Sequence, residues 1–229
     1  MNLGSIIAVI IIILLILFII MISTSRTDVN EATIETVYSW SDVNTSGSYT
    51  NNFTYYIWLN IQDWNYKYGK EKIVFTQGGG PNETKPNFKM FLDPNNNNVT
   101  FNVKTSGDNQ SRCEIVNIPL QKWCCFLMSV YGKYMDIYVD GKLVKTCILD
   151  NVAQMNENFS NSNVYITPDG GFDGYTSSFN YIENATNPQQ AYNIYSKGYS
   201  GNILANIFNK FRIRFTFLID NEDKGSFEI

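Results

Sequence analysis

Histidine is absent from all 229 residues of the chain. This excludes a Ser-His-Asp triad, an HExxH zinc site and any imidazole ligand to a metal. Retaining glycoside hydrolysis needs two carboxyl groups about 5 to 5.5 Å apart, and the sequence offers no candidate pair of acids for it. The sequence therefore predicts a protein that is not an enzyme, with no catalytic residue, no bound metal and no cofactor.

Positive charge is scarce as well. Lys and Arg total 17 against 21 acidic residues, a formal charge of −4, so the basic footprint of a nucleic-acid-binding protein is lacking. Lys210, Arg212 and Arg214 alternate with apolar residues and would share one strand face, which we interpret as a solvated sheet edge. No nucleic-acid partner is expected.

Only four cysteines occur, at Cys113, Cys124, Cys125 and Cys147. The strand register derived below places Cys147 roughly 17 Å from the adjacent pair, which excludes a disulfide between them. Cys113 could reach one of the pair, so at most one bridge would form and two thiols would remain. We expect small buried residues rather than a disulfide framework, and free thiols favour a domain facing the cytosol.

Asparagine, by contrast, is abundant, with 29 residues, and this matches an A/T-rich codon bias. Seven N-x-S/T sequons would suit a glycosylated ectodomain, although some must arise by chance in so Asn-rich a chain. They begin at Asn44, Asn52, Asn82, Asn98, Asn109, Asn158 and Asn184.

The N-terminus carries one long apolar run. Residues 6–22 contain no polar side chain, and Leu3–Ile22 is long enough, at about 1.5 Å per residue, to cross a bilayer of roughly 30 Å. A cleaved signal peptide is the alternative, but no basic residue precedes the run. The sequence predicts a transmembrane anchor over residues 1–22, in contact with lipid through 3–22, and a polar tether over 23–36. Charge does not fix the orientation.

The remainder, residues 37–229, predicts an all-β fold. Short β-branched and aromatic runs alternate with Gly, Asn, Asp and Pro clusters, as in a two-sheet sandwich. The expected strands are 53–61, 72–76, 88–92, 99–104, 123–130, 134–139, 143–149, 164–167, 175–181 and 211–219.

Asp140-Gly141 is a strong type I′ hairpin signal, which places Val139 opposite Lys142 and Tyr134 opposite Cys147. A three-residue link would place Val130 opposite Tyr134. The strand that begins at Trp123 is apolar on both faces, and we expect the second sheet or a neighbouring protein to cover it.

These residues resemble the laminin G-like branch of the concanavalin A-like lectin/glucanase fold over about residues 37–200. The resemblance rests on four segments of the sequence, namely Phe53–Trp58, Trp123, Met135–Val144 and Gly171–Phe179, and on a closing turn and short helix near Asn187–Gly198. It implies a two-sheet antiparallel jelly-roll sandwich, here preceded by one transmembrane α-helix.

The resemblance also implies candidate sites. Some laminin G-like domains hold calcium at one rim, for which Asp150, Asp169 and Asp173 are candidates, although we interpret them as solvated loop carboxylates. Asp136 and Asp140 are too far apart for paired catalysis, and Asp140 belongs to the turn. Exposed aromatic residues in predicted loops are candidates for carbohydrate recognition, namely Trp40, Trp64, Tyr66 and Tyr68.

An anchor, a tether and a sandwich without an active site resemble membrane-anchored minor capsid proteins of large double-stranded DNA viruses. On that resemblance we expect a single-pass protein of a virion inner membrane, assembled in host cytoplasm and in contact with capsid or membrane proteins. A lectin-like adhesion module is the alternative function, and a glycosidase has the least support.

Overall fold

The computed structural model describes residues 29–43, 50–78, 85–107, 109–154 and 163–200, together with the backbone of 214–219 and 222–228. Residues 29–195 contain two six-stranded antiparallel sheets, which confirms the predicted all-β sandwich. The front sheet consists, in spatial order, of β1 Val29–Glu31, β12 Asp173–Ile182, β3 Phe53–Asp63, β8 Trp123–Tyr131, β9 Tyr134–Val139 and β10 Lys142–Ile148.

The back sheet is similarly built from distant parts of the chain. Its order is β2 Thr36–Tyr38, β11 Val164–Ile166, β4 Lys72–Gln77, β5 Phe88–Leu92, β6 Asn98–Thr105 and β7 Asn109–Val116. Two helices, α1 Trp40–Val43 and α2 Pro188–Ser196, and a 3₁₀ turn at Pro168–Gly170 complete this unit. A separate compact unit contains a hairpin of β13 Arg214–Ile219 and β14 Glu222–Glu228.

The core lies between the two sheets and is rich in aromatic rings. Tyr55 of β3 stacks on Phe88 of β5 with ring centroids 5.0 Å apart and lies 5.5 Å from Phe75 of β4. All three side chains are at most 1% exposed. Such pairs contribute about 0.5 to 1.5 kcal/mol beyond the burial of their surface, so they hold the sheets together at the centre.

The hairpin between β9 and β10 has the predicted turn. Asp140 and Gly141 both adopt positive φ, 51° and 74°, as a type I′ turn requires, and Val139 lies opposite Lys142. A bulge at Val144 then shifts the register by one residue. The predicted pairing of Tyr134 with Cys147 is therefore wrong.

The hairpin between β8 and β9 is shorter than predicted. Tyr131 pairs with Tyr134, so the link has two residues rather than three, and Val130 lies opposite Met135. Tyr134 lies opposite Ile148 on its other side. This register places two tyrosines side by side at the end of the sheet.

Strand β8 is central and covered on both faces, as the sequence predicts. Cys124, Phe126, Met128 and Val130 face the core between the sheets. On the opposite face, Leu127 packs with Tyr138 and with Ala191 of α2. The outer cover is therefore the chain's own helix.

Helix α2 begins with a reciprocal cap. The side chain of Asn187 accepts a hydrogen bond from the backbone N–H of Gln190, and the Gln190 side chain accepts one from the N–H of Asn187, each 2.9 Å long. Proline at the next position suits the first helical turn. The ring of Tyr195 stacks on Trp58 of β3 at 5.7 Å, which fixes the far end of the helix on the front sheet.

The cysteines differ from the prediction. Cys113 of β7 and Cys147 of β10 form a disulfide that joins the edge strands of the two sheets, while Cys124 and Cys125 are buried free thiols. The expected partner of Cys113, Cys124 or Cys125, is wrong, whereas one bridge and two remaining thiols lie within the predicted limit of at most one bridge. By loop-closure entropy over 34 residues of separation, such a bridge stabilises a fold by about 3 to 5 kcal/mol.

The sandwich begins earlier in the chain than the predicted boundary at residue 37. Val29–Glu31, placed in the tether by the sequence analysis, pairs with Tyr175–Ser177 of β12. The predicted anchor and the first part of the tether lie outside the described residues. Within the described part of the chain, no helix has the length and apolar character needed to cross a membrane.

Candidate functional site

Two of the predicted sugar-binding aromatics are buried. Trp40 is 4% exposed and packs on Tyr181 with ring centroids 4.9 Å apart. Trp64 is 9% exposed, and its ring lies 4.9 Å from the Nζ of Lys72. Neither ring presents a face to solvent, so neither can act as a stacking platform for a sugar.

The two predicted tyrosines lie in the loop after β3. The hydroxyl of Tyr66 donates a hydrogen bond to the carbonyl of Gly170 at 3.0 Å. Tyr68 is 64% exposed. Only Tyr68 among the four predicted residues presents a largely solvent-exposed ring.

The candidate calcium ligands do not come together. Asp169 and Asp173 lie between β11 and the start of β12, whereas Asp150 follows β10 and lies near the opposite end of the sandwich. Asp150 instead accepts a hydrogen bond from the hydroxyl of Ser111 at 3.1 Å. Within the described ranges no group of three or more acidic or cysteine residues is placed to hold a metal ion.

The two acidic residues between the start of β8 and the end of β10, Asp136 and Asp140, have different surroundings. Asp140 adopts the turn conformation, accepts the N–H of Cys125 at 2.9 Å and lies 3.6 Å from Lys122. Asp136 projects from the middle of β9.

Of the other predicted positions, Lys210 and Arg212 lie outside the described residues, and only the backbone of Arg214 is described.

The described surface offers a different site on the outer face of the front sheet. Three rows of side chains cross strands β8, β9 and β10 there, each row formed by residues directly opposite one another. The rows are Leu127, Tyr138 and Leu143; then Ser129, Asp136 and Thr146; then Tyr131, Tyr134 and Ile148.

The first row is covered and the third is bare. Tyr138, 1% exposed, lies in contact with α2, whereas Tyr131 and Tyr134 are 66% and 54% exposed and Ile148 is 76% exposed. No hydrogen bond to either exposed tyrosine hydroxyl occurs within the described residues. The end of the sheet thus offers two aromatic rings that nothing in the described chain covers.

The middle row is polar and partly occupied. Thr146 donates a hydrogen bond from Oγ1 to the Oδ1 of Asp136 at 2.5 Å. The Oγ of Ser129 accepts the backbone N–H of Thr186 at 2.8 Å. Among the described residues, the Oδ2 of Asp136 has no hydrogen-bond or ion-pair partner, so it is available as an acceptor for a ligand.

Together these residues border an open depression of about 450 Å³, within the range of small-molecule sites. We call it the tyrosine shelf and define it by Ser129, Tyr131, Tyr134, Asp136 and Thr146. The loop at Ala185–Thr186 and the start of α2 form its wall. Burial raises the pKa of Tyr138 at the floor, and the charge of Asp136 raises that pKa further.

The sequence contained a signal for this shelf that the loop-based reasoning missed. Tyr131 lies two positions after Ser129 on β8, and Tyr134, Asp136 and Tyr138 alternate on β9, so period-two counting places them on one face. Exposed aromatic residues were expected in loops, whereas Tyr131 and Tyr134 lie at the ends of strands.

A second depression, of about 340 Å³, lies at the open edge between β7 and β10. Its walls are mostly apolar and include Val116, Ile118 and Val144. Lys145 closes one side by donating a hydrogen bond from Nζ to the carbonyl of Glu114 at 2.9 Å. It lacks the converging polar groups and exposed rings of the tyrosine shelf.

Comparisons with known proteins agree with this architecture. The family model for the concanavalin A-like lectin/glucanases superfamily matches residues 35–192, well over half of the chain. No curated protein sequence matches the chain.

Solved structures of similar fold include three botulinum neurotoxin domains. They are the receptor binding domain of the C/D mosaic serotype (TM-score 0.56, 12% identity, 79% of this chain and 50% of that one), the serotype G binding domain (0.52, 14%, 76% and 47%) and the serotype D binding domain (0.52, 11%, 77% and 48%). The present chain spans about half the length of these proteins, and at such identity the likeness shows the fold alone.

Proposed function

This chain belongs to the concanavalin A-like lectin/glucanase superfamily, and from that premise we propose that it is a lectin-like binding module that recognises a glycan at the tyrosine shelf without hydrolysing it. The single observation that carries the proposal is the pair of exposed rings, Tyr131 and Tyr134, next to the Oδ2 of Asp136, which has no partner among the described residues. Exposed aromatic faces accept the C–H face of a sugar ring, and a carboxylate accepts hydrogen bonds from its hydroxyls.

The charge of the shelf supports a neutral sugar. Among the described residues that line the depression, Asp136 alone is charged. It would repel a carboxylated or sulfated sugar, and this described lining contains no Lys or Arg to offset an acid. A neutral hexose or an N-acetylated hexosamine suits this combination of aromatic rings, one carboxylate and hydroxyl groups.

The presence of a single carboxylate, Asp136, in the described lining of the shelf supports binding without catalysis. Retaining and inverting glycosidases both need two carboxyl groups that flank the scissile bond. The shelf supplies Asp136 alone, and Thr146 already occupies one of its oxygens. The absence of an enzymatic activity stays part of this proposal.

The narrower roles expected from the sequence stay predictions. The toxin domains of similar fold are described as receptor-binding or binding domains, a role that accords with a binding module, but the shelf carries the proposal. A membrane anchor at residues 3–22 and a structural role in a viral capsid depend on residues and partners outside the described structure.

Binding to an array of neutral and acidic glycans, with the full chain in detergent micelles, tests the proposal. We expect the protein to bind neutral glycans selectively. For Tyr134→Ala we expect the dissociation constant to rise about tenfold, which corresponds to a loss of about 1.4 kcal/mol of binding free energy. Asp136→Asn should weaken binding while keeping the shape of the shelf.

Tyr68→Ala is the matched control, because the ring of Tyr68 is at least as exposed as that of Tyr134 but lies after the opposite end of β3. Glycan binding that depends on Tyr68 and not on Tyr134 would move the site to the rim indicated by the sequence. Binding of no glycan, or turnover of a bound one, would contradict the proposal.

A further inference from the structure

Four of the seven sequons lie within the described residues, and the structure separates them into two pairs. Those at Asn44, Asn82 and Asn158 lie outside the described residues. In the first pair the asparagine side chain is half-buried and hydrogen-bonded. In the second pair it is exposed and makes no hydrogen bond within the described part of the chain.

The first pair consists of Asn52 and Asn98. The Oδ1 of Asn52 accepts the backbone N–H of Gly132 at 2.9 Å, so this amide holds the turn between β8 and β9. Asn98 donates from Nδ2 to the Oε1 of Glu114 at 3.0 Å and thereby links β6 to β7. N-glycosylation replaces one hydrogen of Nδ2, so a glycan on Asn98 would compete with the contact to Glu114. On Asn52 the glycan would have to fit beside a half-buried amide whose Oδ1 already holds the turn.

The second pair consists of Asn109 and Asn184. Asn109 begins β7, the edge strand of the back sheet, and Asn184 lies in the loop between β12 and α2. Both side chains are exposed, and the backbone carbonyls of the two residues accept hydrogen bonds from the hydroxyls of Thr105 and Thr54 respectively. A glycan on either amide would extend into solvent without disturbing the fold.

The disulfide is an independent observation that bears on the compartment. Its formation transfers two electrons and two protons from the thiols of Cys113 and Cys147 to a disulfide-bearing oxidoreductase. Such bridges persist in oxidising compartments such as the lumen of the endoplasmic reticulum and are rare in the cytosol. The lumen is also where sequons meet the lipid-linked sugar donor.

From these two observations we propose that Asn109 and Asn184 are N-glycosylation sites and that the sandwich folds in the lumen of the secretory pathway. In the transfer, the Nδ2 of asparagine forms a bond to C1 of a lipid-pyrophosphate-linked oligosaccharide. The C1–oxygen bond breaks, the lipid pyrophosphate leaves with its electron pair, and the amide proton passes to a base of the transferase. No electrons are exchanged.

The modification has a physical consequence at each position. On Asn109 a glycan covers the end of an edge strand, whose free backbone groups would otherwise pair with another sheet. On Asn184 it lies beside the wall of the tyrosine shelf, which residues 185–188 help to form. The first protects the fold, and the second narrows access to the shelf.

Expression of the full chain in eukaryotic cells, followed by enzymatic removal of N-glycans in heavy-oxygen water and peptide mass spectrometry, tests the proposal. We expect conversion of Asn109 and Asn184 to labelled Asp in the folded, membrane-bound fraction, and a Cys113–Cys147 peptide under non-reducing conditions. Asn109→Gln and Asn184→Gln should each remove one glycan without loss of folding, since neither amide is bonded.

Asn52 and Asn98 are the internal controls and should stay unmodified in the same folded fraction. Lack of a glycan at either Asn109 or Asn184 overturns the assignment of that site. Free thiols at Cys113 and Cys147 in the native protein overturn the lumenal placement. None of these outcomes affects the glycan-binding test, because bacterially expressed, refolded protein can be assayed there without any attached glycan.

Discussion

The outer face of the front sheet has two halves, one covered by α2 and one exposed to solvent. The same three strands, β8, β9 and β10, build both halves. Under α2, Leu127 and Tyr138 meet Ala191 in a small closed cluster. Four residues further along the strands, Tyr131 and Tyr134 lie opposite one another and are 66% and 54% exposed.

The boundary between the halves is the polar row. Ser129 accepts the N–H of Thr186, and the hydroxyl of Tyr138 donates to the carbonyl of the same residue at 3.5 Å. These contacts fix the loop where it turns into α2, so the helix runs over the first row and leaves the third uncovered. A short cap and two backbone contacts therefore decide which part of the outer face of the front sheet stays exposed.

The largest expected difference between the halves is in stability. Leu127→Ala removes a side chain that is 2% exposed and should lower the free energy of unfolding by about 2 to 5 kcal/mol. Ile148→Ala, in the bare row, should change it by less than about 0.5 kcal/mol. Urea unfolding at equal denaturant slopes measures both, and equal losses would mean that the third row is also covered in the native protein.

A smaller effect is expected from the helix cap. Asn187→Ala removes one side-chain acceptor at the start of α2 and should cost about 1 kcal/mol in the same urea experiment. The control is Gln189→Ala on the exposed side of the helix, where the loss of a bond to Asn193 should cost about 0.2 to 0.5 kcal/mol. If Asn187→Ala lowers the free energy of unfolding no more than Gln189→Ala does, the stability of α2 does not depend on its first turn.

The smallest effect concerns the two free thiols. Burial raises the pKa of Cys124 to about 12, and burial followed by the charge of Asp140 raises the pKa of Cys125 further. Since only the thiolate reacts, both should resist iodoacetamide at neutral pH. Because the folded pKa values exceed the unfolded ones, stability should fall as the pH rises above about 8.5.

Cys125 faces the side of the sheet that α2 covers, and Cys124 faces the core. Asn187→Ala should therefore raise the labelling rate of Cys125 by up to about fivefold, the equivalent of 1 kcal/mol of easier helix opening, and leave Cys124 unchanged. Mass spectrometry of the labelled peptides separates the two sites. Equal acceleration at both thiols would indicate global unfolding rather than release of the helix.

Much of the fold was predictable because its signals are local. The two strands 88–92 and 134–139 match the structure at both ends, and the Asp140-Gly141 turn follows from the positive φ that these residues tolerate. Strands β1 and β2 were missed because they lie in or beside the polar stretch that we interpret as a tether. Strand β7 was missed because its first half, Asn109–Arg112, is entirely polar and Cys113 and Ile115 are flanked by the charged residues Arg112 and Glu114.

The candidate site was less predictable. Trp40 and Trp64 lie in predicted loops, but both side chains are buried in the core. Removing their large apolar rings from water is favourable in free energy. Tyr131 and Tyr134 look like ordinary hairpin residues, and nothing near them in sequence indicates that α2 stops short of them. Exposure here depends on a helix that begins more than fifty residues later.

By itself the sequence determined the sandwich class, the central meander, the absence of any histidine-based site and the expectation of an N-terminal anchor, since periodicity, turn residues and apolar length act over a few positions. Tertiary structure alone decided the Cys113–Cys147 pair, the separation of Asp150 from the other loop acids and the division of the front sheet into covered and bare rows. Each of these depends on which distant strands lie side by side. Burial of the whole core and the one-residue bulge at Val144 determine which strands lie side by side. Neither can be recognised from a short stretch of the sequence.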